Sequence, residues 1–297
     1  MPRVSMLEVL KTGRVLVSDG AWGSFLQKKG MKSGECPERW CLERPEDVMD
    51  IASSYVHAGA DMIESDSFGA SSLKLAAYGL ADQAAQINRA AAKISRKAAG
   101  DKVWVIASIG PSGKLLVNED VTEKELSESF QEQAEALAEG GADSLCIETM
   151  SDRAEAEAAV LSARRHTSCE VICTFTFEQT AKGQPRTMMG LTPTQAAFAA
   201  YDAGAHIIGT NCGNGIKGML SIVQEMRAAL PRIPILVHAN AGLPQRINGQ
   251  LLYLESPESM AAEVPALVAA GANIIGGCCG TTPEHIRAIR ETLDKKR

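Results

Sequence analysis

Three cysteines stand where buried strands should end, next to glycines. Cys212 lies in "TNCGNG", and Cys278 and Cys279 are adjacent in "GGCCGTTPEH". Adjacent side chains of a strand point to opposite faces, so the pair can act together only after the strand has ended, which the flanking glycines permit. Three thiolates predict an open zinc site, because a structural zinc normally has four protein ligands whereas a catalytic zinc keeps one position for substrate. Soft sulfur ligands favour zinc over magnesium or calcium.

Two other interpretations of these cysteines stay open at this point. Free cysteine is among the most buried residue types, so the three could be small core residues, and a vicinal pair could also form a strained redox disulfide. If the metal site exists, a substrate thiol suits its free position, because zinc lowers the pKa of a bound thiol. The predicted chemistry is then thiol alkylation. We expect the remaining cysteines to be core or surface residues: Cys36, Cys41, Cys146, Cys169 and Cys173.

Charge and hydropathy exclude several classes of protein. The 297 residues carry 36 acidic and 30 basic side chains, a net charge of -6, which argues against nucleic acid or anionic membrane as a partner. No apolar run reaches the roughly 18 residues of a membrane span. Charged residues interrupt the N-terminal apolar stretch, so a signal peptide is not expected. We predict a cytoplasmic protein with reduced cysteines and a small-molecule substrate.

A Gly-Ala phrase that follows an Ala-rich helical stretch and precedes a short apolar run occurs four times. Its glycines, 82, 63 and 67 residues apart, are Gly59, Gly141, Gly204 and Gly271. This phrase is typical of a helix that ends at a left-handed glycine and leads into a buried parallel strand. Each interval between these glycines is long enough for two strand-helix units. The additional strands are supplied by four other apolar stretches: "RVLVSDG", "KVWVIASIG", "EVICTFTF" and "IPILVHANAG".

The pattern predicts one α/β domain over residues 1–297, a single (β/α)₈ TIM barrel with the zinc site at the C-terminal ends of its strands. Thr122 followed by Glu125 indicates a capping box at the start of one outer helix. A doubly wound open sheet is the competitor, but no Gly-x-Gly-x-x-Gly follows the first strand. Active sites of barrels collect at the C-terminal strand ends, and here nearly every strand ends in polar or sulfur-bearing residues.

Several of these strand ends together resemble one known family. The stretches are "DGAWGS" from Asp19, "ESDSFGA" from Glu64, "IETMSD" from Ile147, "TNCG", "NAGLP" from Asn240 and "GGCCGTTPEH". They resemble the homocysteine S-methyltransferase family, which includes the homocysteine-binding module of cobalamin-dependent methionine synthase and betaine-homocysteine methyltransferase. The resemblance covers nearly the whole chain. It implies a TIM barrel with zinc on Cys212, Cys278 and Cys279, and homocysteine as the thiol substrate.

The resemblance also implies how the amino-acid part of homocysteine is held. Backbone amides from Gly20 through Ala21 to Ser24 would bind the carboxylate, and Glu148, with Asp19 nearby, would bind the ammonium group. Carboxylates and a row of N–H donors suit a zwitterion. Asn211 and Asn240 would mainly brace the loops. The chain departs from the family pattern at Asp66, where Asn is usual, and at Ser24, where Thr is usual.

The source of the methyl group is left open by the sequence. In 297 residues we expect no cobalamin domain behind the barrel, and no Asp-x-His-x-x-Gly motif for a corrinoid ligand is present. The donor is therefore predicted to be a methylcobalamin-carrying protein that docks in trans, or a small sulfonium or ammonium compound. Trp22 and Trp40 could face such a cation, although tryptophans of this kind are more often packing residues.

The leading hypothesis is thus a zinc-dependent thiol S-methyltransferase, an enzyme that methylates homocysteine to methionine with a methyl group from a corrinoid protein. The first alternative is a corrinoid-linked methyltransferase with a different acceptor, or a small cationic donor, because Asp66 adds a carboxylate at the mouth. The second alternative is a non-catalytic zinc-binding module, in which His238 closes the metal site as a fourth ligand.

Overall fold

A computed structural model describes residues 4–247 and 250–295 as a barrel of eight parallel strands surrounded by helices. The strands are β1 (Leu16–Val17), β2 (Met62–Ile63), β3 (Trp104–Ile109), β4 (Ser144–Met150), β5 (Glu170–Phe175), β6 (Ile207–Gly215), β7 (Ile235–Asn240) and β8 (Ile274–Gly277). The main helices are α1 (Pro45–His57), α2 (Ala84–Ala99), α3 (Glu123–Glu139), α4 (Arg153–His166), α5 (Pro193–Ala203), α6 (Ile216–Ala229), α7 (Pro257–Ala270) and α8 (Pro283–Asp294). Each strand is followed by one of these helices, so the predicted (β/α)₈ architecture is confirmed.

Shorter elements fill the connections. Short helices span Met6–Lys11, Gly23–Lys28, Trp40–Glu43 and Ser72–Leu75, and single 3₁₀ turns span Pro37–Arg39, Ala76–Tyr78, Ala81–Gln83 and Leu116–Asn118. Two antiparallel hairpins pair Glu178–Gln179 with Pro185–Arg186 and Gln245–Ile247 with Gln250–Leu252. Except for Met6–Lys11, all of them follow a barrel strand and precede its helix. They therefore build the mouth of the barrel.

The strand order is β1-β8-β7-β6-β5-β4-β3-β2, and Asp61 joins the two ends of this sheet. Its backbone N–H donates to the carbonyl oxygen of Val17 at 2.7 Å, and the Val17 N–H donates to Asp61 Oδ2 at 2.9 Å. Arg290 Nη1 holds the same carboxylate oxygen at 3.0 Å. The side chain of Asp61 thus takes the place of a ladder carbonyl where β1 and β2 meet.

The four Gly-Ala phrases occupy the helix-to-strand junctions that the sequence predicts. The φ angles of these four glycines are +94°, +101°, +104° and +107°, and they end α1, α3, α5 and α7 just before β2, β4, β6 and β8. Only glycine takes this left-handed conformation without a steric penalty. The capping box on α3 is also confirmed, since Thr122 Oγ1 accepts from the Glu125 N–H at 3.2 Å and the Thr122 N–H donates to the Glu125 carboxylate at 2.9 Å.

The side chains that point into the barrel are apolar near the N-terminal ends of the strands and polar near the C-terminal ends. Ile106 of β3 and Leu236 of β7 belong to a buried cluster at the lower end of the barrel, which the helix Met6–Lys11 covers. Two residues further on, and so on the same face, are Ser108 and His238. A larger apolar cluster packs between the sheet and the outer helices. Among the described residues no helix is long and apolar enough to cross a membrane.

Candidate active site

The three predicted cysteines converge at the mouth of the barrel. Their sulfur atoms all lie within 4.8 Å of one another, and Cys212 Sγ lies 3.9 Å from Cys279 Sγ. β8 ends at Gly277, so the adjacent pair follows the strand as expected. Cys212 has a positive φ of 57° and is followed by Gly213 at 68°, which turns the chain away from the straight strand path. This left-handed pair of residues aims the third sulfur at the other two.

The environment of the thiols fits a cation. All three are partly exposed, whereas the other five cysteines are buried, as the core interpretation of those five expects. The thiols of Cys278 and Cys279 donate toward Cys212 and lower its pKa to about 3, while the same contact raises the pKa of Cys279 to about 11. Three converging sulfur atoms are the soft donor set that zinc prefers, and zinc binds them as thiolates. Asn240 hydrogen-bonds Cys212, and its buried Oδ1 has no hydrogen-bond partner among the described residues.

A cavity of about 270 Å³ opens beside the three sulfurs. Its wall includes eight of the eleven residues that the sequence predicts for the site: Gly20, Ala21, Ser24, Asp66, Glu148, Cys212, Cys278 and Cys279. The other three lie one contact further out, because each hydrogen-bonds a residue of the wall: Asp19, Asn211 and Asn240. The structure therefore brings all the predicted residues to one place.

A second cluster forms the deep side of this cavity. The ligating atoms of Glu64, Glu148 and His238 lie within 4.8 Å of one another, and His238 Nδ1 is 3.4 Å from Glu64 Oε1. Burial and the neighbouring Asp19 raise the pKa of Glu64, and burial together with Glu64 raises the pKa of Glu148. Burial lowers the pKa of His238. Crowded buried carboxyls of this kind bind a cation well, since it relieves their repulsion.

Glu64 rather than Asp19 has an oxygen free for a ligand. Asp19 Oδ2 accepts from the Glu64 N–H at 2.8 Å and from Trp22 Nε1 at 2.9 Å, and its Oδ1 accepts from the Ser18 hydroxyl at 3.2 Å. Glu64 Oε1 and His238 Nε2 are buried without a hydrogen-bond partner in the described part of the chain. Asp19 thus orients the loop and the Glu64 backbone.

Asn211 fixes Glu148. Its Nδ2 donates to Glu148 Oε2 at 3.2 Å, while its Oδ1 accepts from the Thr149 N–H at 2.8 Å and from the Thr174 hydroxyl at 2.7 Å. The Ser108 hydroxyl donates to the other oxygen of Glu148. Because these donors come from two other strands, β3 and β6, the carboxylate is held rigidly at the top of β4.

Asp66 lies on the wall beside a second acid, Glu38. Both are buried, and burial followed by the charge of Glu38 raises the pKa of Asp66 well above its usual range. The Cys41 thiol lies 3.8 Å from Asp66 Oδ2, and the Gly69 N–H donates to Glu38 Oε1 at 2.6 Å. Asp66 therefore belongs to a local network of hydrogen bonds as well as to the cavity wall.

The predicted carboxylate-binding loop runs into the short helix Gly23–Lys28. The Ala21 N–H already donates to Thr281 Oγ1 at 3.1 Å, and the Tyr55 hydroxyl donates to the Ala21 carbonyl at 2.7 Å. The first N–H groups of the helix have no intrahelical acceptor, so they are the donors that remain. Trp22 lines the cavity, whereas Trp40 is buried under Arg44, whose guanidinium carbon lies 3.6 Å from the ring centre.

Sequence reasoning did not assign a role to Glu64 or Glu38. Glu64 could have been identified from the sequence, because it is the first polar residue after β2 and so lies at the same end of the barrel as the ends of the other strands. Glu38 lies in a long βα loop, where no periodicity tells which side chains face the cavity.

Comparisons with known proteins agree with this geometry. Residues 16–293 match the family model described as homocysteine S-methyltransferase. The methionine synthases of Mycobacterium leprae (strain TN) and Mycobacterium tuberculosis (strain ATCC 25618 / H37Rv) are 32% and 31% identical to this chain over 303 residues. Each alignment covers 96% of this chain but only 24% and 25% of those proteins, so the chain spans about a quarter of their length.

A solved structure matches over almost the entire chain. The metallated form of the homocysteine methyltransferase MmuM from Escherichia coli superposes with a TM-score of 0.78 and 23% identity, covering 96% of this chain and 98% of that one. This likeness supports the barrel fold. The family match extends from β1 to α8 and includes all three cysteines, so the prediction of the family is confirmed: the chain belongs to the homocysteine S-methyltransferase family.

Proposed function

We propose that this protein transfers a methyl group to the thiol of homocysteine and so forms methionine. The observation that carries the proposal is the placement of three convergent thiols and a buried carboxylate cluster on the wall of one cavity. A compound with a thiol and an ammonium group fits this cavity, because the thiol can bind near the cysteines and the ammonium group near the carboxylates. In the reaction the bond between the methyl group and its donor breaks, a bond from carbon to the homocysteine sulfur forms, and the thiol proton leaves.

The three cysteines would hold zinc. Bound there, zinc lowers the pKa of a substrate thiol and keeps its sulfur in the nucleophilic form at neutral pH. The protein contributes three converging sulfur atoms and a cavity of about 270 Å³ beside them.

Glu148 and Glu64 would bind the ammonium group. Glu148 is held by Ser108 and Asn211, and Glu64 Oε1 has no hydrogen-bond partner among the described residues, so an ammonium group placed between the two carboxylates would gain charge-assisted hydrogen bonds. The N–H groups at the start of the helix Gly23–Lys28 would bind the carboxylate. Together these contacts orient the substrate thiol toward the cysteines.

The donor is proposed to be a methyl-corrinoid carried by a separate protein. The barrel mouth is rimmed by exposed apolar side chains in the βα loops. The most exposed members of this rim are Val117, Met188, Leu243 and Leu254, at 73%, 75%, 61% and 56%. Exposed apolar residues gathered on one face are typical of a protein-binding surface.

A small cationic donor is the second candidate, and a specific observation favours it. Asp66 and Glu38 lie on the cavity wall together with the aromatic rings of Trp22 and Phe68, a combination that attracts a sulfonium or quaternary ammonium ion. The non-catalytic zinc module has less support, because His238 groups with the carboxylates and not with the cysteines.

The test is formation of methionine by the zinc-loaded protein. We would supply L-homocysteine with methylcobalamin, S-methylmethionine or betaine in separate reactions and measure methionine by mass spectrometry. Turnover with methylcobalamin alone supports the corrinoid donor, and turnover with a sulfonium or ammonium compound supports the cationic donor. No methionine with any of the three, together with no heat of homocysteine binding, would refute the proposed reaction.

A further inference from the structure

The ring of His238 lies on the deep side of the cavity. His238 follows Leu236 by two residues on β7, so its side chain points into the barrel, where it is buried and lines the cavity. Gly276 of the neighbouring strand β8 leaves room for the ring, because a Cβ atom at Gly276 would lie 3.0 Å from His238 Cδ2. The fold therefore makes space for an imidazole at this point.

Two polar atoms in this part of the cavity lack hydrogen bonds. Glu64 Oε1 and His238 Nε2 are buried without a hydrogen-bond partner among the residues that the structure describes, although Nδ1 of the same ring lies 3.4 Å from Glu64 Oε1. A buried polar atom without a partner costs stability, so native proteins keep few of them unless a ligand or a water molecule satisfies them. Both atoms belong to residues of the cavity wall, so a group of the substrate can supply the missing hydrogen bonds.

The spacing of three acceptors in this cluster suits a primary ammonium group. One ring nitrogen of His238, one carboxylate oxygen of Glu64 and one of Glu148 all lie within 4.8 Å of one another. Acceptors that each lie about 2.8 Å from a tetrahedral nitrogen are separated by roughly 4.6 Å. A single ammonium group between them can therefore donate one hydrogen bond to each. Burial lowers the pKa of His238, so its ring is neutral at neutral pH and keeps one acceptor nitrogen.

We propose that His238 is a specificity-determining residue of the active site, whose ring nitrogen accepts the third N–H of the substrate ammonium group. This inference rests on the proposed function, since it takes homocysteine as the substrate and Glu148 and Glu64 as partners of its amino group. The two carboxylates supply charge and attract any ammonium cation, whereas a neutral third acceptor favours a nitrogen that has a third N–H to donate.

The third acceptor has a consequence for selectivity. An N-methyl group on the substrate would place a carbon atom against the imidazole and leave the ring nitrogen without a hydrogen bond, and sites built to hydrogen-bond an N–H discriminate strongly against such analogues. A quaternary ammonium ion, which has no N–H, is disfavoured for the same reason. His238 thus reserves the deep side of the cavity for a primary amino group.

The test is isothermal titration of the zinc-loaded protein with L-homocysteine, with N-methyl-L-homocysteine and with 4-mercaptobutanoate, which lacks the amino group. His238→Leu removes both ring nitrogens, and His238→Gln keeps a hydrogen-bond acceptor on a side chain of similar reach. His206→Leu is the matched control. The His206 ring is partly buried and accepts from the Val171 N–H at 2.9 Å, but it does not line the cavity.

We expect the wild-type protein to bind homocysteine at least about 10-fold more tightly than its N-methyl derivative. His238→Leu should bind homocysteine about 10-fold more weakly and lose most of this discrimination, while its affinity for 4-mercaptobutanoate stays the same. His238→Gln should retain part of the discrimination, and the control should retain all of it.

The possible results separate this inference from the proposed function. If His238→Leu discriminates between the two amino acids as the wild type does, the role of His238 is overturned. An equal loss of affinity for all three ligands would overturn it too, because the ring would then only shape the cavity. Equal binding of homocysteine and its N-methyl derivative to the wild-type protein would refute the three-acceptor site and leave the proposed methyl transfer intact. No binding of homocysteine to the wild-type protein would instead refute the proposed function. Circular dichroism verifies that each variant is folded, and His238→Phe replaces the leucine variant if that variant does not fold.

Discussion

Replacement of Glu148 by Gln tests how the protein recognises the amino group of its substrate. The variant keeps the shape of the side chain, and the Ser108 hydroxyl can rotate to accept from the new amide while Asn211 continues to donate to the oxygen. What is lost is the negative charge facing the ammonium group. A hydrogen bond to a charged group contributes about 1.5–3 kcal/mol, so we expect homocysteine to bind about 10- to 150-fold more weakly.

The assay is isothermal titration of the zinc-loaded protein with L-homocysteine and, separately, with 4-mercaptobutanoate, which lacks the amino group. The wild-type protein should prefer homocysteine, and Glu148→Gln should lose most of this preference while its affinity for 4-mercaptobutanoate stays the same. Glu155→Gln is the matched control. Glu155 is also a buried carboxylate with two hydrogen bonds, both from Ser112, but it does not line the cavity.

Two results would refute this reasoning. An equal loss of affinity for both ligands would mean that Glu148 maintains the shape of the cavity and does not contact the ammonium group. An unchanged preference for homocysteine would assign the amino group to another partner, and Glu64 would be the next residue to replace.

Three further predictions follow from the site. Cys212→Ala should abolish zinc binding and methyl transfer yet leave the circular dichroism spectrum unchanged, whereas Cys173→Ala, a buried control, should keep its zinc; a global loss of structure in Cys212→Ala would point to a structural metal. Burial raises the pKa of Glu64 above 4.5, so the folded state binds this proton more tightly and the corresponding part of the unfolding free energy is lost as the pH rises through the folded-state pKa. Urea unfolding between pH 5 and 8 should therefore show a shallower decline for Glu64→Gln than for the wild type, by at most about 1.4 kcal/mol per pH unit, and parallel curves would contradict the assignment. Met188→Glu, on the exposed rim, should slow methyl transfer from a corrinoid protein at least several-fold but leave the rate with free methylcobalamin unchanged; equal rates with the protein donor would exclude docking at this rim.

The barrel and the convergence of the three cysteines could be predicted because their signals are local. Each Gly-Ala phrase marks a left-handed residue that glycine alone adopts readily, so the phrase reports a helix-to-strand junction wherever it occurs. Cys278 and Cys279 are adjacent in the sequence. Adjacent side chains of a strand point to opposite faces, so both cysteines can face one site only after the strand has ended. Once eight strands are counted, the parallel order brings Cys212 to the same end of the barrel.

The division of work among the carboxylates could not be predicted in the same way. Asp19 and Glu64 both lie at strand ends, and both are buried. Only the folded structure shows that the oxygens of Asp19 accept from the Glu64 N–H, Trp22 and Ser18, whereas Glu64 Oε1 has no hydrogen-bond partner in the part of the chain that the structure describes. Ser18 and Trp22 are close to Asp19 in the sequence, but Glu64 lies 45 residues away, so no short stretch of sequence contains the whole set.

The sequence by itself determined the strand count, the end of the barrel at which the polar residues collect and the convergence of the three cysteines, because each depends on neighbouring residues and on the fixed geometry of parallel strands. Tertiary structure alone decided which groups face the cavity. The placement of Glu38 beside Asp66 and of His238 beside Glu64 depends on packing between distant segments of the chain. Local propensity does not specify such contacts, since they form only when residues far apart in the chain meet.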